Sequence, residues 1–247
     1  MIRFIRSIVL SLCFIIFGLA SLMYGLILFP IVKLFIRDKQ KRLHCLSDII
    51  HSSWHAYVRF MEFVKVYKVE PKNIEVLKNI KNSVIVSTHP SYFDVLILLG
   101  LIPRTTCFVA PKLKRNIFFR NIVSSMFLAS GKEVDEMKAD ASEMLEEGLN
   151  VLIFPMGTRH RKDEHLKIHK GASLIALSAK KDIVPVQMST NTDFLLTKQP
   201  IWDGGNETVI YFVEGKEKIS IENYLRKDEI TAKKEITKEI EKRLYNL

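Results

Sequence analysis

The sequence predicts an α/β fold: a mainly parallel or mixed sheet flanked by helices, with an N-terminal helical membrane-anchoring element. Two observations predict the layers. Short apolar runs near Val84, Phe108, Val134, Leu152, Val184 and Ile210 have the length of strands. Helical patterns fall between most of them, and that alternation builds a sheet of mainly parallel strands. A third observation predicts the anchor. Residues 7–32 contain no charge, a run of 26 residues, where a bilayer span takes about 20.

The chain divides into residues 1–66, a membrane-associated helical element, and residues 67–247, an α/β domain with a C-terminal helical tail. The apolar run is longer than the core of a signal peptide, about 7–15 residues, so it reads as a retained segment. Arg3 and Arg6 flank one side; Lys33, Arg37, Lys39, Lys41 and Arg42 flank the other. The heavier positive end puts the domain on the cytoplasmic face of the inner or plasma membrane. Basic residues at both ends also suit a helix that dips into one leaflet and snorkels its charges out. Gly18, Gly25 and Pro30 supply places to bend. Residues 39–66 follow as a basic helix whose Trp54 and Tyr57 suit a membrane interface. Residues 219–247 carry Ile230, Ile236 and Ile240 among Lys and Glu, a helix with one solvated face.

The chain of 247 residues has a formal net charge of +10, which draws it to anionic lipid or acidic small molecules. Nucleic acid is not an expected partner: the chain has no Cys/His finger spacing and no aromatic-laced basic sheet motif. The three cysteines, Cys13, Cys45 and Cys107, are too far apart for a disulfide framework or a zinc site. Cys107 reads as a buried core thiol. His51 and His55, one helical turn apart, have no third ligand in view. His160, His165 and His169 read as part of a solvated basic loop. No metal and no redox cofactor is implied.

The chemistry-bearing block is residues 89–94, His-Pro-Ser-Tyr-Phe-Asp, between the strand at Val84 and an apolar helix. A carboxylate one turn after a histidine can hold one imidazole nitrogen, fix the tautomer and leave the other nitrogen as a proton acceptor. His89 is the candidate base and Asp94 its orienting group. A second block, Phe154-Pro155-Met156-Gly157-Thr158-Arg159, ends another apolar strand with a turn and a fixed cation. Lys170-Gly171-Ala172 opens a helix, and Val184-Pro185-Val186 lies on the strand after it.

In this order and spacing, over roughly residues 84–190, these elements resemble the glycerolipid acyltransferase family, which includes the 1-acylglycerol-3-phosphate acyltransferases. The resemblance implies His89 and Asp94 as the catalytic His-x-x-x-x-Asp pair. It implies Gly157, Thr158 and Arg159 as acceptor-binding residues, with Lys112 and Lys170 on the substrate side. It also implies a two-helix membrane-docking element at the N-terminus. Arg159 reads as a phosphate clamp against the alternative of a structural ion pair; Lys112 reads equally as a solvated turn. Backbone N–H groups near Ser91 or Gly157 are candidate oxyanion donors, and Ser91 reads foremost as a helix cap. The expected reaction moves a fatty acyl group from acyl-CoA or acyl-carrier protein to a lysophospholipid hydroxyl. Membrane lipid and the acyl donor are the expected partners.

Two departures from the family pattern bear on the acceptor. Met156 stands where the family has Glu, and Met is a weak hydrogen-bond acceptor. The family's arginine-ending block has no clean counterpart, Lys132 being the nearest cation. An acceptor other than lysophosphatidic acid, or water, is therefore an alternative, as is a non-catalytic lipid-binding module.

Overall fold

The computed structural model describes residues 1–161 and 164–245, apart from the side chain of Lys114. It opens with one continuous helix, Ile2–Phe35: α1 (Ile2–Met23), a π-turn at Tyr24–Leu28, and α2 (Phe29–Phe35). Pro30 explains the π-turn. Proline has no N–H to give to the carbonyl one turn back and its ring crowds that carbonyl, so the helix widens there. Phe29 N–H reaches back five residues to the Tyr24 carbonyl. In that register the Gly25 carbonyl faces a residue without an N–H, and the Asn121 side chain donates to it instead at 3.0 Å. A Cβ on Gly25 would come within 3.0 Å of Asn121 Cβ, so this close approach requires glycine.

Helix α3 (Lys39–Phe63) starts at Asp38, whose side chain accepts from Lys41 N–H at 2.7 Å, an N-cap. Then follow β1 (Tyr67–Lys72), α4 (Ile74–Lys78), β2 (Val84–Ser87), α5 (Asp94–Leu101), β3 (Thr105–Val109), a 3₁₀ turn (Pro111–Arg115) and α6 (Arg120–Met126). The chain continues through β4 (Leu128–Ala129), α7 (Val134–Glu146), β5 (Asn150–Ile153), α8 (Gly171–Ala179), β6 (Ile183–Thr190), β7 (Val209–Gly215) and α9 (Glu229–Tyr245). The sheet has seven strands in the order β1-β7-β6-β2-β5-β3-β4. All neighbours pair parallel except β6 and β7, which are antiparallel. The fold is thus the mixed α/β sheet that the sequence predicts.

Successive strand residues point to opposite faces, and the two apolar cores sort accordingly. Ile85, Cys107, Leu152 and Val186 join one core with the buried stripes of α1, α3, α5 and α6. Val84, Val86, Val151 and Ile183 join the other with α7, α8 and α9. Cys107 is fully buried, as expected of a core thiol.

Two readings, the strand at Val134 and the cap at Ser91, need correction. The run at Val134 is no strand but the start of α7. Asp135 and Glu136 favour a helix N-terminus, and Ala141 and Leu145, four apart, are its buried stripe. The edge strand is the short β4 just before it. Helix α3 buries one face, with Leu43, Leu46, Ile50, Val58 and Met61, in the domain core. It packs so closely on α5 that a Cβ on Gly100 would lie 3.0 Å from His55 N. His51 and His55 each donate from Nδ1 to a carbonyl at the end of α5, Leu99 O at 2.8 Å and Gly100 O at 3.0 Å. Finally, Ser91 is not the cap of α5, which begins only at Asp94; there the Asp94 carboxylate accepts from Ser91 N–H.

Candidate active site

The parallel strands β2, β3 and β5 end together, the place where open α/β sheets leave a crevice. Each end delivers part of one cavity of about 490 Å³, within the range of small-ligand sites. The turn after β2 carries His89. Its backbone is pinned from two sides. Thr88 Oγ1 donates to Met188 O at 2.7 Å and accepts from Met188 N–H at 2.6 Å on β6. The His89 carbonyl accepts from His160 N–H at 3.0 Å.

His89 Nδ1–H donates to Asp94 Oδ2 at 2.7 Å. The acceptor is a carboxylate, so the proton sits on Nδ1 and Nε2 keeps its lone pair. Nε2 has no hydrogen bond among the described residues. The imidazole stacks on Phe154, with ring centres 4.1 Å apart, which fixes its plane. Asp94 is fully buried. Its Oδ2 also accepts from Ser91 N–H at 2.8 Å. Burial pushes the Asp94 carboxyl up from its ordinary range, while His89 and the Ser91 N–H pull the other way. Behind it, Tyr211 Oη donates to Ser91 Oγ at 2.5 Å. Tyr211 lies on β7 and is fully buried.

The loop after β5 brings the cation. Gly157 has φ +72°, a left-handed conformation that favours glycine, and its N–H closes a turn onto Phe154 O at 3.1 Å. The turn carries Thr158 and Arg159 over the cavity. Arg159 Nη1 donates to Leu195 O at 2.5 Å. Its guanidinium lies 5.4 Å from the Tyr92 ring centre, in cation–π range. Partial burial holds its pKa below the ordinary arginine value. No carboxylate pairs with Arg159 among the described residues.

His89, Lys112, Gly157, Thr158 and Arg159 thus line one cavity, with Asp94 behind His89. The rest of the lining is mostly apolar, including Phe14 and Phe17 of α1, Trp54 of α3, Leu96 of α5 and Ile122 of α6, with Ser21 and Thr197 among its hydroxyl residues. Lys170, exposed on the turn that opens α8, is not part of it. Nor is Lys132, which is tied to Asp140 at 2.6 Å. Met156 is buried in the opposite core with Ile168, so its side chain faces away from the cavity. Within the two backbone stretches suggested for the oxyanion, the N–H groups of Ser91 and Gly157 themselves are already donated, to Asp94 Oδ2 and Phe154 O.

The expectation of a solvated loop fails for His160, which is only 6% exposed. It holds for His169, and His165 lies stacked on Tyr245. Leu195 and Tyr211 took no part in the sequence reading of the site, and Tyr92 and Phe154 entered it only as members of the two blocks, with no role of their own. Only the place of Tyr92 beside His89 and of Phe154 beside the Pro-Gly turn could have flagged two of them.

Residues 68–189 match the family described as Acyltransferase. The human 1-acyl-sn-glycerol-3-phosphate acyltransferase beta is 29% identical over 163 residues, covering 62% of this chain and 58% of the human protein. A chloroplastic 1-acyl-sn-glycerol-3-phosphate acyltransferase of Arabidopsis thaliana is 28% identical over 177 residues, covering 67% of this chain and 49% of that protein. The chain spans about half the length of the curated relatives it matches. The crystal structure of the 1-acyl-sn-glycerophosphate acyltransferase PlsC from Thermotoga maritima superposes with a TM-score of 0.69 at 18% identity, covering 100% of this chain and 99% of that one. The fold is therefore shared, and residues 68–189 of this chain form an acyltransferase-family domain.

Proposed function

We propose that this chain is a membrane-bound O-acyltransferase that moves a fatty acyl group from a thioester, acyl-CoA or acyl-carrier protein, to the free hydroxyl of a lysophospholipid of the 1-acylglycerol-3-phosphate type. The observation that carries this reading is the His89–Asp94 pair at the mouth of an apolar cavity, with Arg159 on the rim. His89 Nε2 takes the acceptor hydroxyl proton as the oxygen attacks the thioester carbonyl carbon. Asp94 holds the ring and stabilises the imidazolium. The tetrahedral intermediate collapses by breaking the carbon–sulfur bond, and the departing thiolate takes the proton back from Nε2. No covalent acyl-enzyme is required, since a thioester is already activated.

Arg159 is the grip on the acceptor phosphate. A guanidinium without a carboxylate partner has donors to give, and the Tyr92 ring and Leu195 carbonyl aim it. The apolar walls from α1, α3, α5 and α6 suit the acyl chain. The names of the curated relatives support a phosphate-bearing acceptor. Met156 does not speak against one, because its side chain packs in the core rather than toward the substrate.

The N-terminal helix supports a monotopic attachment rather than a span. Arg3 binds Asp203 at 2.6 Å, and Arg6 donates to the carbonyls of Lys65, Val66 and Gly204 at 2.9–3.0 Å. Cys13 O accepts from Tyr57 Oη at 2.8 Å, and Phe29 and Val32 are buried further along. A helix docked along its length on a water-soluble domain lies beside it, not across a bilayer from it. Its outer face, with Leu12, Ile15, Leu19, Met23 and Leu26, is about half exposed and apolar. That face suits burial in one leaflet, on the cytoplasmic side by the charge bias of its flanks.

The test is acyl transfer by the detergent-purified full chain from acyl-CoA and acyl-carrier-protein donors to a panel of lysolipids. Transfer to lysophosphatidic acid that disappears in His89→Ala is the expected result. Equal transfer by the mutant removes His89 as the base. Fatty-acid release with no acylated lipid makes the chain a hydrolase.

A further inference from the structure

The loop between β6 and β7, residues 191–208, holds two large apolar side chains out from the domain: Ile201 is 49% exposed and Trp202 62%. A slack loop would fold such side chains onto the nearest apolar surface. This loop is held from doing so, because the residues after Trp202 are fastened to α1. Arg3 donates twice to the Asp203 carboxylate, at 3.0 and 2.6 Å. Arg6 Nε donates to Gly204 O at 2.9 Å, and Gly204 N–H donates to Ser7 Oγ at 3.1 Å. A Cβ on Gly204 would lie 2.4 Å from the Arg6 backbone, an approach that only glycine allows. The fastening sets Trp202 against an open groove on α1, beside Phe4, Ile8 and Leu12. These three are themselves exposed. Spaced four apart, they lie along one side of the helix, so the loop tip continues the apolar outer face of α1.

We propose that the Ile201–Trp202 tip is a second membrane-inserting element, which enters the headgroup and upper acyl region of the leaflet that takes the outer face of α1. The inference rests on the one-leaflet reading of that helix and deepens it. Three observations select lipid as the occupant. The tip and the α1 face form one contiguous apolar surface, and a patch of that kind marks an interaction site. Its largest side chain is tryptophan, whose amphipathic ring settles at headgroup level. Its charged surroundings suit anionic lipid. Lys198 on the loop and Lys65, whose carbonyl Arg6 also holds, are exposed. Of the nearby acids, Asp203 is bound by Arg3, and Glu207 lies within electrostatic reach of Arg6. The other end of the same loop reaches the candidate active site: Leu195 O accepts from Arg159 at 2.5 Å, and Thr197 lines the cavity. Insertion of the tip therefore sets the Arg159 rim near the depth of the headgroups, where the phosphate of a lysophospholipid lies.

The experiment reads tryptophan fluorescence of the full chain in phosphatidylcholine–phosphatidylglycerol vesicles. The sequence has two tryptophans, Trp54 and Trp202, so Trp54→Phe leaves Trp202 as the sole reporter. The vesicles carry lipid brominated either high on the acyl chain or near its end. Expected is a loss of Trp202 emission of about 2-fold or more with the high bromines and a smaller loss with the deep ones, the pattern of a ring at the interface. A companion chain, Trp54→Phe with Trp202→Phe and Leu12→Trp, reports on α1 in the same vesicles. Quenching of the Leu12→Trp reporter with none at Trp202 overturns the inference and leaves the one-leaflet reading standing. Quenching of neither overturns both. Trp202 emission that shifts with protein concentration but not with brominated lipid assigns the face to a second copy of this chain and overturns the inference as well. Should Trp54→Phe fail to fold, the quenching lost between the wild type and Trp202→Phe reads the same signal. None of these readouts depends on acyl transfer, so failure of the tip is distinguishable from failure of the proposed reaction.

Discussion

The two ends of the cavity are built on different principles. At the histidine end the groups are fixed through one another. His89 is held by Asp94, by the Phe154 ring and, through its backbone, by His160; Asp94 is held by Ser91 N–H; Ser91 is held by Tyr211. At the cation end, Arg159 has one carbonyl and one ring face, and Lys112 is exposed on a 3₁₀ turn. The difference teaches where precision is needed. A proton transfer demands a fixed distance and tautomer. A phosphate can be held by charges that adjust. The buried end should therefore set kcat and the exposed end KM, and that division can be broken experimentally.

The largest effect is expected from His89→Ala: kcat for acyl transfer falls by about 10⁴-fold with little change in acceptor KM, within the range for loss of a general base. A KM effect of comparable size breaks the division at its centre.

Asp94→Asn comes next, with kcat lower by about 10²–10³-fold, because the ring loses its fixed tautomer and the anion behind it. This substitution also separates function from stability. Burial raises the Asp94 pKa on folding, so its contribution to stability is present when the carboxyl is protonated at low pH and declines as pH rises through its folded-state pKa. Asparagine carries no charge to desolvate. Thermal melts above the carboxylate range should show Asp94→Asn no less stable than the wild type. A clear fall in Tm there contradicts burial as the dominant influence.

Arg159→Lys tests the cation end. A point charge does not reproduce a planar guanidinium, and a hydrogen bond to a charged group contributes about 1.5–3 kcal/mol. The KM for a lysophosphatidic acid acceptor should rise about 10- to 100-fold while kcat stays within a few-fold. A fall in kcat alone would move Arg159 to the chemical end of the cavity. The smallest expected effect is a rise of about 2- to 5-fold in KM for Lys112→Ala, lessened by added salt because the residue is exposed. Lys170→Ala, outside the lining, should leave both constants unchanged; a KM effect there would extend the cation end beyond the cavity.

Much of this was legible in the chain. The His-x-x-x-x-Asp spacing held, since a turn after a strand followed by a helix carries residue 94 back under residue 89 whatever packs around it. Residues 154–159 were legible for the same reason: a strand, a Pro-Gly turn and a cation are local. The strand at Val134 was misread because β-branched and apolar residues at a helix start resemble a short strand until the spacing of Ala141 and Leu145 is weighed. Met156 was misjudged because a motif position does not state which way its side chain points.

What the sequence by itself determined is therefore local: the alternation of strands and helices, the long N-terminal apolar run with its uncharged residues 7–32 and a place to bend at Pro30, and the two chemical blocks. Each depends on neighbours within a turn or a strand. The tertiary structure alone decided which groups meet. It put Tyr211, 120 residues from Ser91, behind the His89–Asp94 pair, buried His160, turned Met156 into the opposite core, left Lys170 and Lys132 outside the cavity, and laid α1 along the domain. Those outcomes depend on which buried surfaces fit together across the sheet. Packing selects among many possible partners there, and no local pattern records the choice.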